Sequence, residues 1–294
     1  MREPAVAGMF YPGSEKALKR ELKDCFKRGP GRSEPGNGRK VRGIISPHAG
    51  YTYSGPTAAF GFLAMADGGL PQTVVIIGPN HSGLGKRIGV SMEDMKTPMG
   101  VVKVDSDLAS SMEEHHDELS HLKEHSMEVQ LPFLRFFDSN IKQVCISMGH
   151  PRRGGPWTSE EEAELQQAKM VSEMIVKVVK ETGRDVSIIA SSDFTHCGPN
   201  YGLPIPSGLN AGQYARTLDL PVIDLLVKGD IEGALKKKRE LGTTACGMGP
   251  ITAMMLAVKE LGKTETELLD YRTSYDISPS HSAVGYASIV LHER

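Results

Sequence analysis

The chain has 294 residues, 39% of them hydrophobic and 24% charged, which is the balance of a globular protein large enough to bury an extensive core. Its 34 Lys and Arg against 36 Asp and Glu leave a net charge of -2 with no long basic block, so composition argues against nucleic acid or an anionic membrane surface as partner. Residues 1–6 carry no apolar run, and the longest apolar stretch, 251–258, is far shorter than the roughly 20 residues that span a bilayer, so a cytoplasmic protein with no signal peptide and no membrane span is expected.

In chain order, an N-terminal helix is followed by a Gly-, Arg- and Pro-rich stretch, 28–40, with the composition of a flexible loop. Strand 41–46, helix 56–66 and strand 73–78 come next, then short strands at 87–91 and 101–104, helix 124–137 and strand 142–148. A loop at 151–159 leads to helix 160–181, strand 186–191, helices 213–227 and 249–261, and a late strand pair at 267–274 and 283–291. Apolar, β-branched runs alternating with helical periodicity indicate an α/β sandwich. Neither loop is long enough for a domain linker and no repeat is visible, so one domain over 1–294 is expected.

Three strands each run into a histidine just past their carboxyl ends: His48 in Pro47-His48-Ala49-Gly50, His81 in Pro79-Asn80-His81-Ser82, and His196 in Ser192-Asp193-Phe194-Thr195-His196. Ligands of open α/β sheets bind along that edge. A single loop histidine usually serves a local hydrogen bond, but three in equivalent places point to a site. Neutral imidazole suits iron, copper and zinc, which makes His48 and His81 credible metal ligands. Cys246, immediately before a helix whose N-terminus favours a thiolate, is the best third donor, against the alternative of a small buried hydrophobe. Asp193 and His196 on one short loop read as a proton-transfer pair.

Other features compete. His121-Leu122-Lys123-Glu124-His125 matches the H-x-x-E-H pattern of inverted zinc peptidases, although five residues are little to go on. A nucleophilic Cys246 paired with a histidine would suit acyl transfer, but no oxyanion hole is marked. Glu124, His125 and Glu128 open an amphipathic helix, where Glu128 has the alternative of a solvated face. Tyr11, Tyr51 and Tyr53 either line an aromatic-accepting cleft or pack. Cys145, within a strand, reads as core, and no C-x-x-C pair suggests a disulfide framework or zinc knuckle.

Seven motifs running the length of the chain resemble the Memo family, named for a mediator of cell motility. They are Ala7-Gly8-Met9-Phe10-Tyr11-Pro12, Pro47-His48-Ala49-Gly50-Tyr51-Thr52-Tyr53-Ser54-Gly55, Gly78-Pro79-Asn80-His81 and Glu124-His125-Ser126-Met127-Glu128. The others are Ser191-Ser192-Asp193-Phe194-Thr195-His196, Thr244-Ala245-Cys246-Gly247 and Ser282-Ala283-Val284-Gly285-Tyr286-Ala287. The resemblance implies an α/β fold, a mixed central sheet flanked by helices, like that of the class III extradiol (LigB-like) dioxygenases, which open catechol rings with ferrous iron. His48 and His81 match the family's histidine ligands, Cys246 stands where the dioxygenases carry a carboxylate, His196 matches their acid/base histidine, and His125 belongs to the pocket. The family is associated with iron or copper and with copper-dependent redox activity. Thiolate in place of carboxylate shifts preference toward copper(I) or zinc.

The resulting expectation is an iron- or copper-dependent redox enzyme: metal on His48, His81 and Cys246, proton transfer by His196 with Asp193, and a pocket shaped by His125 and Glu128. Two alternatives stand beside it: a module that binds a small-molecule or peptide ligand in the same pocket, and a zinc-assisted hydrolase.

Overall fold

Strands that are apolar on both faces need cover on both faces, and the helices that follow them supply it. The computed structural model describes residues 1–149 and 160–294; the loop expected at 151–159 lies outside the described residues. The first half of the chain forms α1 (Glu15–Arg28), β1 (Val41–Ser46), α2 (Tyr51–Asp67), β2 (Thr73–Pro79), β3 (Ile88–Val90), β4 (Met95–Thr97), β5 (Gly100–Val104), α3 (Ser106–Ser110), α4 (Leu131–Phe137) and β6 (Lys142–Met148). The second half forms α5 (Glu160–Thr182), β7 (Val186–Ser191), β8 (His196–Cys197), α6 (Ala211–Val227), α7 (Ile231–Leu241), α8 (Met248–Leu261), β9 (Thr264–Thr273), α9 (Ser274–Ile277) and β10 (Ala283–Glu293).

Ten strands of the described residues make one sheet in the order β4-β5-β6-β2-β7-β1-β10-β8, with β3 joined to β6 and β9 to β10. The inner strands β6, β2, β7 and β1 run parallel, while β10 is antiparallel to β1 and to β9, so the sheet is mixed and helix-flanked as expected. Side chains alternate along β2 between two cores. Val75 and Ile77 face the one built with α5, α6 and α8, and Val74 and Ile76 face the one built with α1, α2 and α4. Cys145 is core, as expected. No described helix is long and apolar enough to cross a membrane.

Several elements differ from the expected ones for physical reasons. Helix α2 begins at Tyr51 and contains Pro56, whose missing N–H leaves the Thr52 carbonyl unpaired within the helix; the Arg28 guanidinium donates to it at 3.2 Å. The helix expected at 124–137 is shorter. Residues Glu128–Gln130 form a single 3-10 turn and only Leu131–Phe137 is α-helical, because the Glu124 carboxylate accepts the N–H groups of His125 and Ser126 and holds that segment as a turn. Helix α7 was not foreseen. Its apolar stripe is only Ile231, Ala234 and Leu235, but Asp230 caps the Gly233 N–H and Gly242, at φ 69°, closes the helix in the left-handed region. Between α1 and β1 there is no helix or strand, although Arg32 and the Gly36 N–H both bind the Asp67 carboxylate.

Candidate metal centre

The parallel strands deliver their histidines to one edge of the sheet. His48 follows β1 and His81 follows β2, while Asp193 and His196 follow β7; His125 arrives from the turn before α4. The nitrogen ligand atoms of His48, His81 and His125 lie within 4.8 Å of one another, so these three imidazoles could hold a metal ion. His81 and His125 stack at 4.8 Å between centroids, and His48 meets both edge-on at 5.2 and 5.4 Å. The Cys246 sulfur is 3.3 Å from His48 Nε2. Above them opens a cleft of about 530 Å³, also lined by Phe10, Tyr53, Asp193, His196, Tyr201 and Tyr286 together with a group of serines.

Gly78 sets the approach of the His125 turn to β2. A Cβ there would stand 2.4 Å from Ser126 Oγ, so only glycine lets the turn lie against the strand. Hydrogen bonds then fix two of the three rings. Ser191 gives its single hydroxyl proton to the Ser126 carbonyl at 2.6 Å and accepts from Gln130 at 3.0 Å. His48 Nδ1, 2.8 Å from the same oxygen, must therefore be the donor, which leaves the lone pair of Nε2 turned toward Cys246. Glu124 does the same for His81: it accepts from Nδ1 at 3.0 Å and from the His81 backbone N–H at 2.6 Å. His81 Nε2 is then the atom at which a proton and a metal ion compete.

Charge follows from these contacts. Burial drives the His48 pKa well below its ordinary value, and the neighbouring His81 and His125 push it the same way. Burial also opposes charge on His81, but the hydrogen bond and charge of Glu124 outweigh it and raise the His81 pKa. Glu124 is buried too, yet its partners, His81 first, hold its pKa down at about 2. Burial lowers His125, partly offset by Glu124. Burial, helped by Asp193, pushes the Cys246 thiol far up, against the thiolate expected from the helix N-terminus.

Asp193 and His196 both line the cleft. Among the described residues the Asp193 carboxylate hydrogen-bonds the His48 N–H, at 2.8 Å, and not the His196 ring, which meets Tyr201 edge-on at 5.1 Å. Burial raises the Asp193 pKa. The backbone of His196 is clamped by Thr244, whose hydroxyl accepts its N–H and donates to its carbonyl.

Glu128 is fully buried and outside the cleft lining: its carboxylate accepts from Arg2, the Ala5 and Val6 N–H groups and the Tyr11 hydroxyl, so it is not on a solvated face. Tyr53 lines the cleft, while Tyr11 and Tyr51 are buried. His121 stands apart from the cluster, donating from Nε2 to the Gly89 carbonyl at 3.0 Å, so the H-x-x-E-H match does not form a pair of neighbouring ligands. Sequence reasoning missed the work of Ser191, Gln130 and Phe10. It placed Glu124 in a helix start, where only its position beside His125 hinted at a role.

The molecule is thus an α/β protein whose mixed sheet gathers three imidazoles and a cysteine at the carboxyl edge of its parallel strands. A family model described as Memo-like protein matches residues 2–290. A MEMO1 family protein of Methanothermobacter thermautotrophicus is 38% identical, with 98% of this chain and 99% of that protein covered. Another, from Methanopyrus kandleri, is 37% identical over 99% of this chain and 98% of its own length. A third, from Methanosarcina barkeri, is 38% identical over 99% of this chain and its entire length. The chain belongs to the Memo family.

Proposed function

We propose that the protein is a metal-dependent redox enzyme in which His48, His81 and Cys246 hold iron or copper, with zinc compatible with the same donors. The observation that supports this most is the convergence of the His48, His81 and His125 imidazoles within 4.8 Å; Cys246 is outside that group, with its sulfur 3.3 Å from His48 Nε2 at the edge of the cluster. The donor chemistry fits: imidazole suits iron, copper and zinc, and Cys246, a thiol in the metal-free site, would add preference for copper(I) and zinc once a metal displaces its proton. A redox-active metal, when bound, would supply the one-electron chemistry of the reaction.

The chain's own residues do the rest. Ser191 and Glu124 engage Nδ1 of His48 and His81 and leave Nε2 of each ring free as the donor atom. Asp193, whose pKa burial raises, and His196, both in the cleft wall, are the pair that would pass a proton to or from a bound ligand. Tyr53, Tyr201 and the serines that line the same cleft would orient a small-molecule or peptide ligand. Kinship with the class III extradiol dioxygenases is part of the same proposal and rests on the positions of His48, His81 and His196.

The deciding experiment is elemental analysis of protein purified without oxygen and without a chelating column, beside His48→Ala and Cys246→Ser. About one iron or copper per chain, lost in both variants, is expected. No bound metal, and no uptake of ferrous iron, copper(I) or zinc by the metal-free protein, would overturn the reading in favour of a ligand-binding module.

A further inference from the structure

The third histidine of the cluster is held differently from the other two. His48 Nδ1 has Ser191 at 2.8 Å and His81 Nδ1 has Glu124 at 3.0 Å. Among the described residues no hydrogen bond fixes the His125 ring, whose Nδ1 lies 3.5 Å from Glu124 Oε1. Its surroundings are aromatic. One face stacks on His81, and Phe10 meets the ring at 4.9 Å with the planes inclined by 61°.

Phe10 belongs to an N-terminal segment that is anchored at both ends of its turn. The Phe10 N–H donates to the Val6 carbonyl at 2.9 Å, and the Tyr51 N–H donates to the Phe10 carbonyl at 2.8 Å. Behind it the segment is latched onto the buried Glu128 carboxylate by the N–H groups of Ala5 and Val6, at 2.7 and 3.0 Å, and by the Tyr11 hydroxyl, at 2.6 Å. Glu128 and His125 lie on the same short segment, so one anchor sets both the ring and the residue that packs on it.

We infer that Phe10 is a positioning residue that holds His125 as a metal ligand. The inference rests on the metal-centre reading above and extends it. Phe10 does for His125 by ring contact what Ser191 and Glu124 do for their histidines by hydrogen bonds. With His125 held, the centre offers three nitrogens; with it released, His48, His81 and Cys246 remain, a softer set. The N-terminal segment therefore biases the site toward metals that prefer nitrogen.

Cobalt(II) titration of the metal-free protein tests this, because its visible absorption reports both affinity and donor set. Phe10→Ala is expected to weaken cobalt binding by roughly tenfold to a hundredfold, the effect of losing an outer partner of a ligand, and to shift the spectrum toward that of His125→Ala. Phe10→Tyr should keep the wild-type values. Phe10→Leu fills the space without a ring, and should melt at the wild-type temperature while still losing affinity and the wild-type spectrum. Wild-type binding and spectrum in Phe10→Ala or Phe10→Leu overturn the inference. So does a His125→Ala variant indistinguishable from wild type; a loss confined to His48→Ala would then leave the metal centre standing without it. If wild-type protein takes up no cobalt, the metal-centre reading and this inference fall together.

Discussion

Glu124 concentrates more of the site's geometry than any other side chain. One carboxylate receives the His81 ring and backbone N–H and the N–H groups of His125 and Ser126, so it fixes the His81 ring and the backbone of His125 at once. Glu124→Gln removes the charge that orients His81, and metal affinity is expected to fall by roughly tenfold to a hundredfold in a competition titration against a chelator. Ser191→Ala leaves the buried His48 Nδ1–H without its acceptor. A loss of about 1–3 kcal/mol in unfolding free energy is expected from denaturant titration of the metal-free protein. His48, His81 and His196 were legible at this scale because each directly follows an apolar strand. Glu124 and Glu128 were not, since the same Glu-His-Ser-Met-Glu run is compatible with an exposed helix, and the donors that claim the two carboxylates come from distant parts of the chain.

At the scale of elements, α2 and α4 are joined by aromatic packing: Phe62 and Phe133 stack at 4.8 Å with planes 4° apart, and both are buried. Phe62→Ala is expected to cost about 3–5 kcal/mol, read as a lower denaturation midpoint at unchanged slope. Helix α6 carries a pH-dependent contact. Asp219 accepts the Thr195 N–H at 3.0 Å and the Tyr271 hydroxyl at 2.7 Å, and burial lifts its pKa from 3.8 to about 6. Between those values the folded chain binds a proton that the unfolded chain has released. This group's contribution to stability therefore grows as pH falls from 6 toward 4, and is lost as pH rises through 6. The difference in unfolding free energy between wild type and Asp219→Asn should change by on the order of 2–3 kcal/mol between pH 7 and pH 4. An identical pH profile for the two proteins would exclude a raised pKa at Asp219. The long strands and helices were readable from periodicity, whereas α7 has too short an apolar stripe, and the turn at 124–127 replaced a helix because a side chain outcompeted the backbone for its N–H groups.

Across the whole molecule, the site joins the N-terminal segment, three strand ends, the turn before α4 and the approach to α8. A metal that binds only this folded arrangement stabilises it by mass action, about 2.7 kcal/mol at a free concentration a hundred times the dissociation constant. For a domain of this size that corresponds to a rise of a few degrees in melting temperature, expected in wild type and absent in His48→Ala. By itself the sequence determined the alternation of apolar strands with helices, and hence an α/β fold with polar loops at one edge, because apolar runs and turn residues act over a few neighbouring positions. Its motifs also carried the Memo family from end to end. Only the tertiary structure decided that His125 joins His48 and His81, that Cys246 lies against His48, and that Glu128 turns away from the cleft to hold residues 2–11. Those contacts link segments far apart in the chain, and they depend on strand order and on how loops meet at the sheet edge, which no local pattern specifies.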